Sequence, residues 1–215
     1  MLTIYGRKSS FNLQKVMWLV GELAMPHTHT EMGGSFGGLD TPAFRAMNPH
    51  GRVPVIDDDG TIVWESHAIL RYLAARYGAG RFWSDDPAAR ALVDRWMDWA
   101  QTALQPDFLM GVFWGYYRTP ASERNRPAVE ASIRRCTAHF RLLDELLGDR
   151  PFLLGDRLSL ADIPLGTNLY RYFNIDIARP PLPHVERWYR ALQERAAYRA
   201  HVMIPFDDLY GRLAY

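Results

Sequence analysis

Two short segments of the chain carry residues suited to holding a small peptide. Val53 and Pro54 open a β-branched run, and a proline at a strand start cannot donate a ladder hydrogen bond. If the Val53-Pro54 bond is cis, the N–H and C=O of Val53 turn out of the sheet and can pair with a peptide backbone. Glu65 and Ser66 open a helical pattern, where free N–H groups attract a carboxylate and Glu65 can accept from an ammonium. Together the two segments predict a site for a zwitterionic peptide.

Three runs of the sequence resemble the glutathione-binding half of the glutathione S-transferase family, in its bacterial, serine-type (theta/nu/beta-like) branch. They are LTIYGRKSSFNLQKV, NPHGRVPVI and ESHAILRYL. In that family the proline is cis, the residue before it pairs with the cysteinyl backbone, and the Glu-Ser pair holds the γ-glutamyl group. The resemblance assigns these roles to Pro54, Val53, Glu65 and Ser66. It also places Arg52 near the glycine carboxylate, a good partner for a guanidinium; the alternative is a solvated loop arginine.

The resemblance implies that the glutathione thiol is the nucleophile, and a nucleophilic thiol must be ionised. A hydroxyl donor at a helix N-terminus favours the anion. Ser10 stands at the family position for that donor, and Asn12 could add a second donor. Ser9 and Tyr5 are the alternatives, and Ser10 is also a preferred residue type for a simple N-cap. Because neither position 9 nor position 10 is a cysteine, a mixed disulfide with a protein thiol is not expected.

Large side chains are concentrated between residues 108 and 117, near the end of the helix predicted at about 88–115. They are Phe108, Met110, Phe113, Trp114, Tyr116 and Tyr117. By the resemblance this helix lines the pocket of the electrophile, for which we select Phe108, Phe113, Trp114 and Tyr117. Trp114 and Tyr117 are spaced i, i+3 and can share a helix face. The whole set cannot face one side, so packing against neighbouring helices is the alternative for each residue.

Hydrophobic spacing predicts the elements that must position these side chains. Strands are expected at 2–5, 27–31, 53–57 and 61–64, and helices at 11–23, from Asp40-Thr41-Pro42, and at 66–76. The order β-α-β-α-β-β-α is that of a thioredoxin-like domain. After Pro87 only helical patterns follow, at about 88–115, 122–147, 160–173 and 183–196. We therefore predict an α+β protein with a thioredoxin-like glutathione-binding domain (1–78), a linker (79–86) and an all-α helical domain forming the electrophile pocket (87–215).

Composition narrows the possible functions. The 215 residues are 48% hydrophobic, which supports a sizeable core and argues against disorder. A net charge of +1 gives no indication of nucleic acid or of an anionic membrane as a partner. The histidines lack the i, i+4 pairing of zinc sites, and the acidic run 57–59 is typical of a hairpin turn, so no metal is expected.

The cysteine count and the apolar runs bear on the compartment. Cys136 is the only cysteine, which excludes an intramolecular disulfide, and its place in a helical pattern indicates a buried structural thiol. No apolar run is long enough to span a bilayer, and the first ten residues do not resemble a signal peptide. These features predict a cytoplasmic protein.

The leading hypothesis is a detoxification enzyme that conjugates glutathione, its co-substrate, to a small apolar or aromatic electrophile. Glutathione-dependent reduction of peroxides or disulfides is the alternative within catalysis. A different class is a noncatalytic glutathione-transferase-like interaction module, which often loses the hydroxyl donor or the Glu-Ser pair; this chain keeps both. The fold alone can host any of these functions. The resemblance also predicts a homodimer, in which domain one of each subunit packs against domain two of the other.

Overall fold

The computed structural model describes residues 1–213, which form two compact units. Unit 1 comprises Met1–Ser84 and Ala196–Ile204, and unit 2 comprises Asp85–Arg195 and residues 205–213. No helix within the described range is long and apolar enough to cross a membrane.

Unit 1 is built on a four-stranded sheet. Its strands are β1 (Leu2–Tyr5), β2 (His27–Thr30), β3 (Val55–Asp58) and β4 (Thr61–Trp64), in the order β2-β1-β3-β4. β1 pairs parallel with β2 and antiparallel with β3, and β3 pairs antiparallel with β4. The helices α1 (Phe11–Glu22), α2 (Pro42–Met47) and α3 (Ser66–Tyr77) complete the predicted β-α-β-α-β-β-α order. The thioredoxin-like prediction is confirmed.

Side-chain alternation explains how the sheet faces its core. Leu2 and Ile4 are buried while Thr3 and Tyr5 are half-buried, as expected when successive strand residues point to opposite faces. In β3, the other inner strand, Val55 and Ile56 both have no exposed surface, so both faces of the sheet are covered at this point.

The helix α8 (Ala196–His201) belongs to unit 1, whereas the sequence placed all of 87–215 in the helical domain. Tyr198 meets the Trp18 ring of α1 edge-on, with ring centroids 4.8 Å apart. The backbone of Gly21 approaches α8 so closely that an added Cβ would lie 2.8 Å from Ala197 Cβ. The correction thus has a physical reason: the aromatic and small residues of α8 fit the surface of α1.

Unit 2 is helical, as predicted. α4 (Pro87–Trp99) continues through the wider turns of Ala100–Leu104 and Pro106–Arg118, and α5 (Arg126–Leu147), α6 (Asp162–Asn174) and α7 (Pro183–Gln193) follow. A proline inside a helix has no N–H and crowds the preceding turn, and the helix around Pro106 is widened accordingly. At its end Thr119 N–H donates to Trp114 O, five residues back.

A buried carboxylate organises the start of α6. Asp162 has no exposed surface. Its oxygens accept from Leu153 N–H (2.9 Å), Ser159 N–H (2.9 Å) and the Ser159 hydroxyl (2.7 Å). Burial raises the pKa of Asp162 to about 6, although the three hydrogen bonds oppose that shift. Asp162 is thus the acceptor that ties the preceding loop to the start of α6.

Candidate functional site

The first part of the site is the N-terminus of α1. Ser10 is its N-cap, with extended backbone, and the Ser10 Oγ accepts from Leu13 N–H at 3.4 Å. The side chain is nearly buried, at 7% exposure. A hydroxyl has one proton and two lone pairs, and the cap uses a lone pair. The proton of Ser10 is therefore available to a thiolate, so capping and thiolate stabilisation are compatible roles.

A buried lysine follows Asn12 on the same helix. Lys15 is 1% exposed, and its Nζ lies 3.0 Å from Asn12 Oδ1 and 3.3 Å from His67 Nε2. It also lies 5.0 Å from the centroid of the Phe11 ring. Burial lowers the pKa of Lys15 to about 7, against the charge of Glu65, which raises it. Lys15 thus joins the start of α1 to the start of α3.

His67 is the neutral member of this cluster. Burial, followed by the positive charges of Lys15 and Arg71, lowers the pKa of His67 to about 2. A neutral imidazole accepts through one nitrogen and donates through the other, so Nε2 accepts from the Lys15 ammonium. The Nδ1 atom has no hydrogen-bond partner within residues 1–213.

The second part of the site is the loop that enters β3. The Val53-Pro54 peptide is cis, as predicted. In the described part of the chain no hydrogen bond engages the N–H or C=O of the half-buried Val53. Asn48 braces the loop, because its Nδ2 donates to Arg52 O at 2.8 Å while its Oδ1 accepts from His50 N–H at 3.0 Å. The Arg52 side chain is exposed.

The third part of the site is the junction of β4 and α3. Glu65 has φ 68° and ψ 117°, a backbone region that is uncommon for a residue other than glycine and tends to persist at functional sites. Ser66 follows as the first residue of α3 and is 5% exposed. No side chain caps α3, so its first N–H groups can bind a carboxylate. Glu65 itself is exposed.

The alternative thiol partners lie nearby in the sequence. Tyr5 is the last residue of β1, opposite Thr30 and Val55, and is half-buried. Ser9 is half-buried in the loop between β1 and α1. Both remain alternatives to Ser10 for the thiol contact.

The four aromatic candidates of unit 2 differ in burial. Phe108 and Phe113 are 0% and 1% exposed; Phe108 meets Tyr172 edge-on, and Phe113 stacks on Tyr117 at 5.6 Å. Tyr117 is 9% exposed, and Trp114 is half-buried with its ring 4.0 Å from the Arg118 guanidinium. The core alternative therefore describes Phe108 and Phe113 well, while Trp114 is the least buried of the four.

Sequence reasoning missed Lys15 and Asn48 and assigned no chemistry to His67. A signal for Lys15 was available: it is one of only two lysines, and it directly precedes the apolar run 16–20, three residues after Asn12. Asn48 stood in the quoted NPHGRVPVI run, but its bracing role depends on a turn geometry that the sequence does not show.

Comparisons with known proteins point to one family. Family models for the glutathione S-transferase N-terminal and C-terminal domains match residues 4–81 and 126–191. Glutathione S-transferase GstB of Escherichia coli (strain K12) is 42% identical over 207 residues, covering 95% of this chain and 99% of the relative.

Solved structures agree as well. The theta class glutathione S-transferase of Xanthomonas axonopodis pv. citri with glutathione bound has a TM-score of 0.89 at 43% identity, covering 95% of this chain and 98% of that one. A glutathione S-transferase from Pseudomonas fluorescens has a TM-score of 0.78 at 28% identity, covering 91% and 96%. The chain is an enzyme that belongs to the glutathione S-transferase family.

Proposed function

We propose that this transferase conjugates the thiolate of glutathione to small apolar or aromatic electrophiles. The observation that carries the proposal is the start of α1, where the Ser10 hydroxyl uses a lone pair for the cap and keeps its proton for an anion. The Xanthomonas relative holds glutathione, which supports glutathione as the co-substrate here.

The peptide is placed by three groups of unit 1. We assign its γ-glutamyl end to Glu65 and Ser66, because the uncapped N-terminus of α3 suits a carboxylate and the exposed Glu65 suits an ammonium. The cysteinyl backbone pairs with the free N–H and C=O of Val53, beside Pro54. The exposed Arg52 can reach the glycine carboxylate, which matches a guanidinium.

The thiol then lies near Ser10 and Asn12. Hydrogen bonds and the positive end of the α1 dipole favour its ionised form. The thiolate sulfur forms a bond to the electrophilic carbon, and a leaving group such as halide departs. Ser9 and Tyr5 are the competing donors.

For the electrophile we propose Trp114, with Phe108, Phe113 and Tyr117 supporting it. Trp114 is the half-buried member of the set, and an aromatic face favours apolar and aromatic partners. Phe108 and Phe113 support the proposed electrophile pocket from within the core.

The assembly and the compartment are also proposals. We propose a homodimer, which the family resemblance implies, and light scattering that shows a monomer at micromolar concentration would overturn it. The cytoplasmic location stays a prediction from the sequence, and no nucleic acid, membrane or metal partner is proposed.

Calorimetry on two variants tests the glutathione site. Glu65→Ala and Ser66→Ala should each weaken binding by about 1.5–3 kcal/mol, since each removes a partner of a charged group. Thr61→Ala, which removes an exposed hydroxyl of β4, is the matched control and should bind normally. Unchanged affinity in both site variants would show that Glu65 and Ser66 do not bind the γ-glutamyl end.

A substrate panel tests the chemistry. Aryl halides should be conjugated in preference to the reduction of hydroperoxides or disulfides. Activity confined to hydroperoxides or disulfides would favour the reductase alternative, and binding without any turnover would favour an interaction module.

A further inference from the structure

We propose that Lys15 is a positioning residue of the thiol site: its ammonium holds the Asn12 amide so that Nδ2 is offered to the thiolate of bound glutathione. The inference rests on the proposed function and deepens it, because it names what controls the second donor. Lysine is almost never fully buried unless it is paired, and Lys15 is 1% exposed within α1.

The contacts of Lys15 determine how Asn12 is oriented. An ammonium only donates hydrogen bonds, so the Asn12 atom that lies 3.0 Å from Nζ must be the acceptor Oδ1. The amide hydrogens of Nδ2 are then directed to another acceptor. His67 supports this arrangement, because its neutral Nε2 accepts from the same ammonium at 3.3 Å.

Loss of the Lys15 proton would reverse the arrangement. A neutral amine has a lone pair and can accept from Nδ2, which allows the amide to turn over. Asn12 would then present Oδ1 to the thiolate, and two electron-rich atoms repel each other. The charge of Lys15 therefore decides whether Asn12 stabilises the anion or opposes it.

The surroundings of Lys15 place this change near neutral pH. From the α3 side it is faced by Glu65, which raises its pKa, and by the neutral His67, beside the positive Arg71. The helix α8 also packs on α1 and carries Arg199 and His201 in its last turn, and neither is among the charges that act on Lys15.

The charges that act on His201 belong to another cluster. They are those of His27, His29 and Lys8. For Lys15 itself the largest influence is desolvation, which lowers its pKa to about 7.

Linkage makes the proposal measurable. If protonated Lys15 favours the thiolate, the thiolate must favour protonated Lys15 by the same free energy. Glutathione should therefore raise the pKa of Lys15, whereas S-methylglutathione, which keeps the peptide but has no ionisable thiol, should raise it far less.

A lysine-labelled NMR titration tests this directly. Because Lys8 and Lys15 are the only lysines, the Lys8→Arg enzyme carries a single lysine signal, and the exposed Lys8 keeps its charge in that variant. We expect the pKa of Lys15 to be higher by about one unit, a tenfold change in proton affinity, with glutathione than with S-methylglutathione. Equal values in the two complexes would overturn the inference.

Variants give an independent reading. Lys15→Met should lower the thiolate fraction of bound glutathione about fivefold at pH 6.5 and leave its affinity nearly unchanged, with Lys15→Arg restoring most of the loss. The double variant Asn12→Ala/Lys15→Met should have nearly the same thiolate fraction as Lys15→Met alone, because Lys15 acts through Asn12. Lys8→Met is the matched control and should titrate as the wild type does.

The outcomes distinguish a failure of the proposed function from a failure of the Lys15 inference. If the wild type binds no glutathione, or leaves its thiol titration unshifted, the proposed function fails. If the wild type lowers the thiol pKa and Lys15→Met lowers it equally, only the Lys15 inference fails. Should Lys15→Met not fold, the titration of the single-lysine enzyme decides by itself.

Discussion

Replacement of Ser10 by alanine should change the pH dependence of conjugation more than its maximum rate. The variant loses a hydroxyl that caps α1 and, in our proposal, donates to the thiolate. The cap distance to Leu13 N–H is 3.4 Å, longer than a typical bond. The loss of stability should therefore be near ~0.5–1 kcal/mol, toward the lower end for N-caps.

The effect on the thiol follows from its ionised fraction. A free thiol titrates near ~8.5, and a site in which Ser10 and Asn12 each lower this by about one unit ionises roughly 50% of the bound thiol at pH 6.5. Without the Ser10 hydroxyl the ionised fraction falls to roughly 9%, about a fivefold loss of rate. At pH 9 both fractions exceed roughly 95%, so the two rates should be nearly equal.

The assay is the thiolate absorbance of bound glutathione, titrated against pH, with conjugation rates at both pH values. Thr41→Ala is the matched control, because Thr41 Oγ1 caps α2 through Phe44 N–H at 3.3 Å and has no proposed part in the chemistry. It should lose similar stability and keep the wild-type titration.

Two further variants decide among the donors. Ser9→Ala should change the thiol titration only slightly, and Tyr5→Phe should mainly lower the stability of the fold. If Tyr5→Phe moves the titration and Ser10→Ala does not, the reasoning about the start of α1 is refuted and the tyrosine is the donor.

The other predictions concern buried groups. The folded-state pKa of Asp162, raised from 3.8 to about 6, favours the protonated form, so its stabilising contribution is full below pH ~3.8 and is lost as pH rises through ~6. Over that window the loss is about 3 kcal/mol, and denaturant unfolding of Asp162→Asn should lack this slope; equal slopes would contradict the assignment. Gly21→Ala should destabilise by ~1–3 kcal/mol, since its Cβ would lie 2.8 Å from Ala197 Cβ; thermal melts should show recovery on adding Ala197→Gly, and no recovery would place the clash elsewhere. Cys136, whose pKa burial raises to about 12, should resist alkylation at pH 8 until the protein unfolds, and rapid native labelling would show an accessible thiol.

Local sequence determined much of the architecture. The order of strands and helices in unit 1 follows from short-range periodicity, because each element is defined by the spacing of its own residues. Pro54 likewise marked the strand start and Ser10 the helix start, since both act on the backbone within a few residues of themselves. The Glu65-Ser66 pair is a local signal of the same kind, because it marks the start of α3.

Tertiary structure decided what depends on residues far apart in the chain. Nothing in the periodicity near 196 assigns α8 to unit 1; that follows from how Tyr198 packs on Trp18. The burial of Phe108 and Phe113 likewise depends on partners such as Tyr172 and Phe206. The charge of Lys15 is the sharpest case, because its pKa is set by desolvation and by neighbours from α3 that lie 52 residues away. The sequence shows where a lysine stands, but only the folded environment determines whether that lysine is charged.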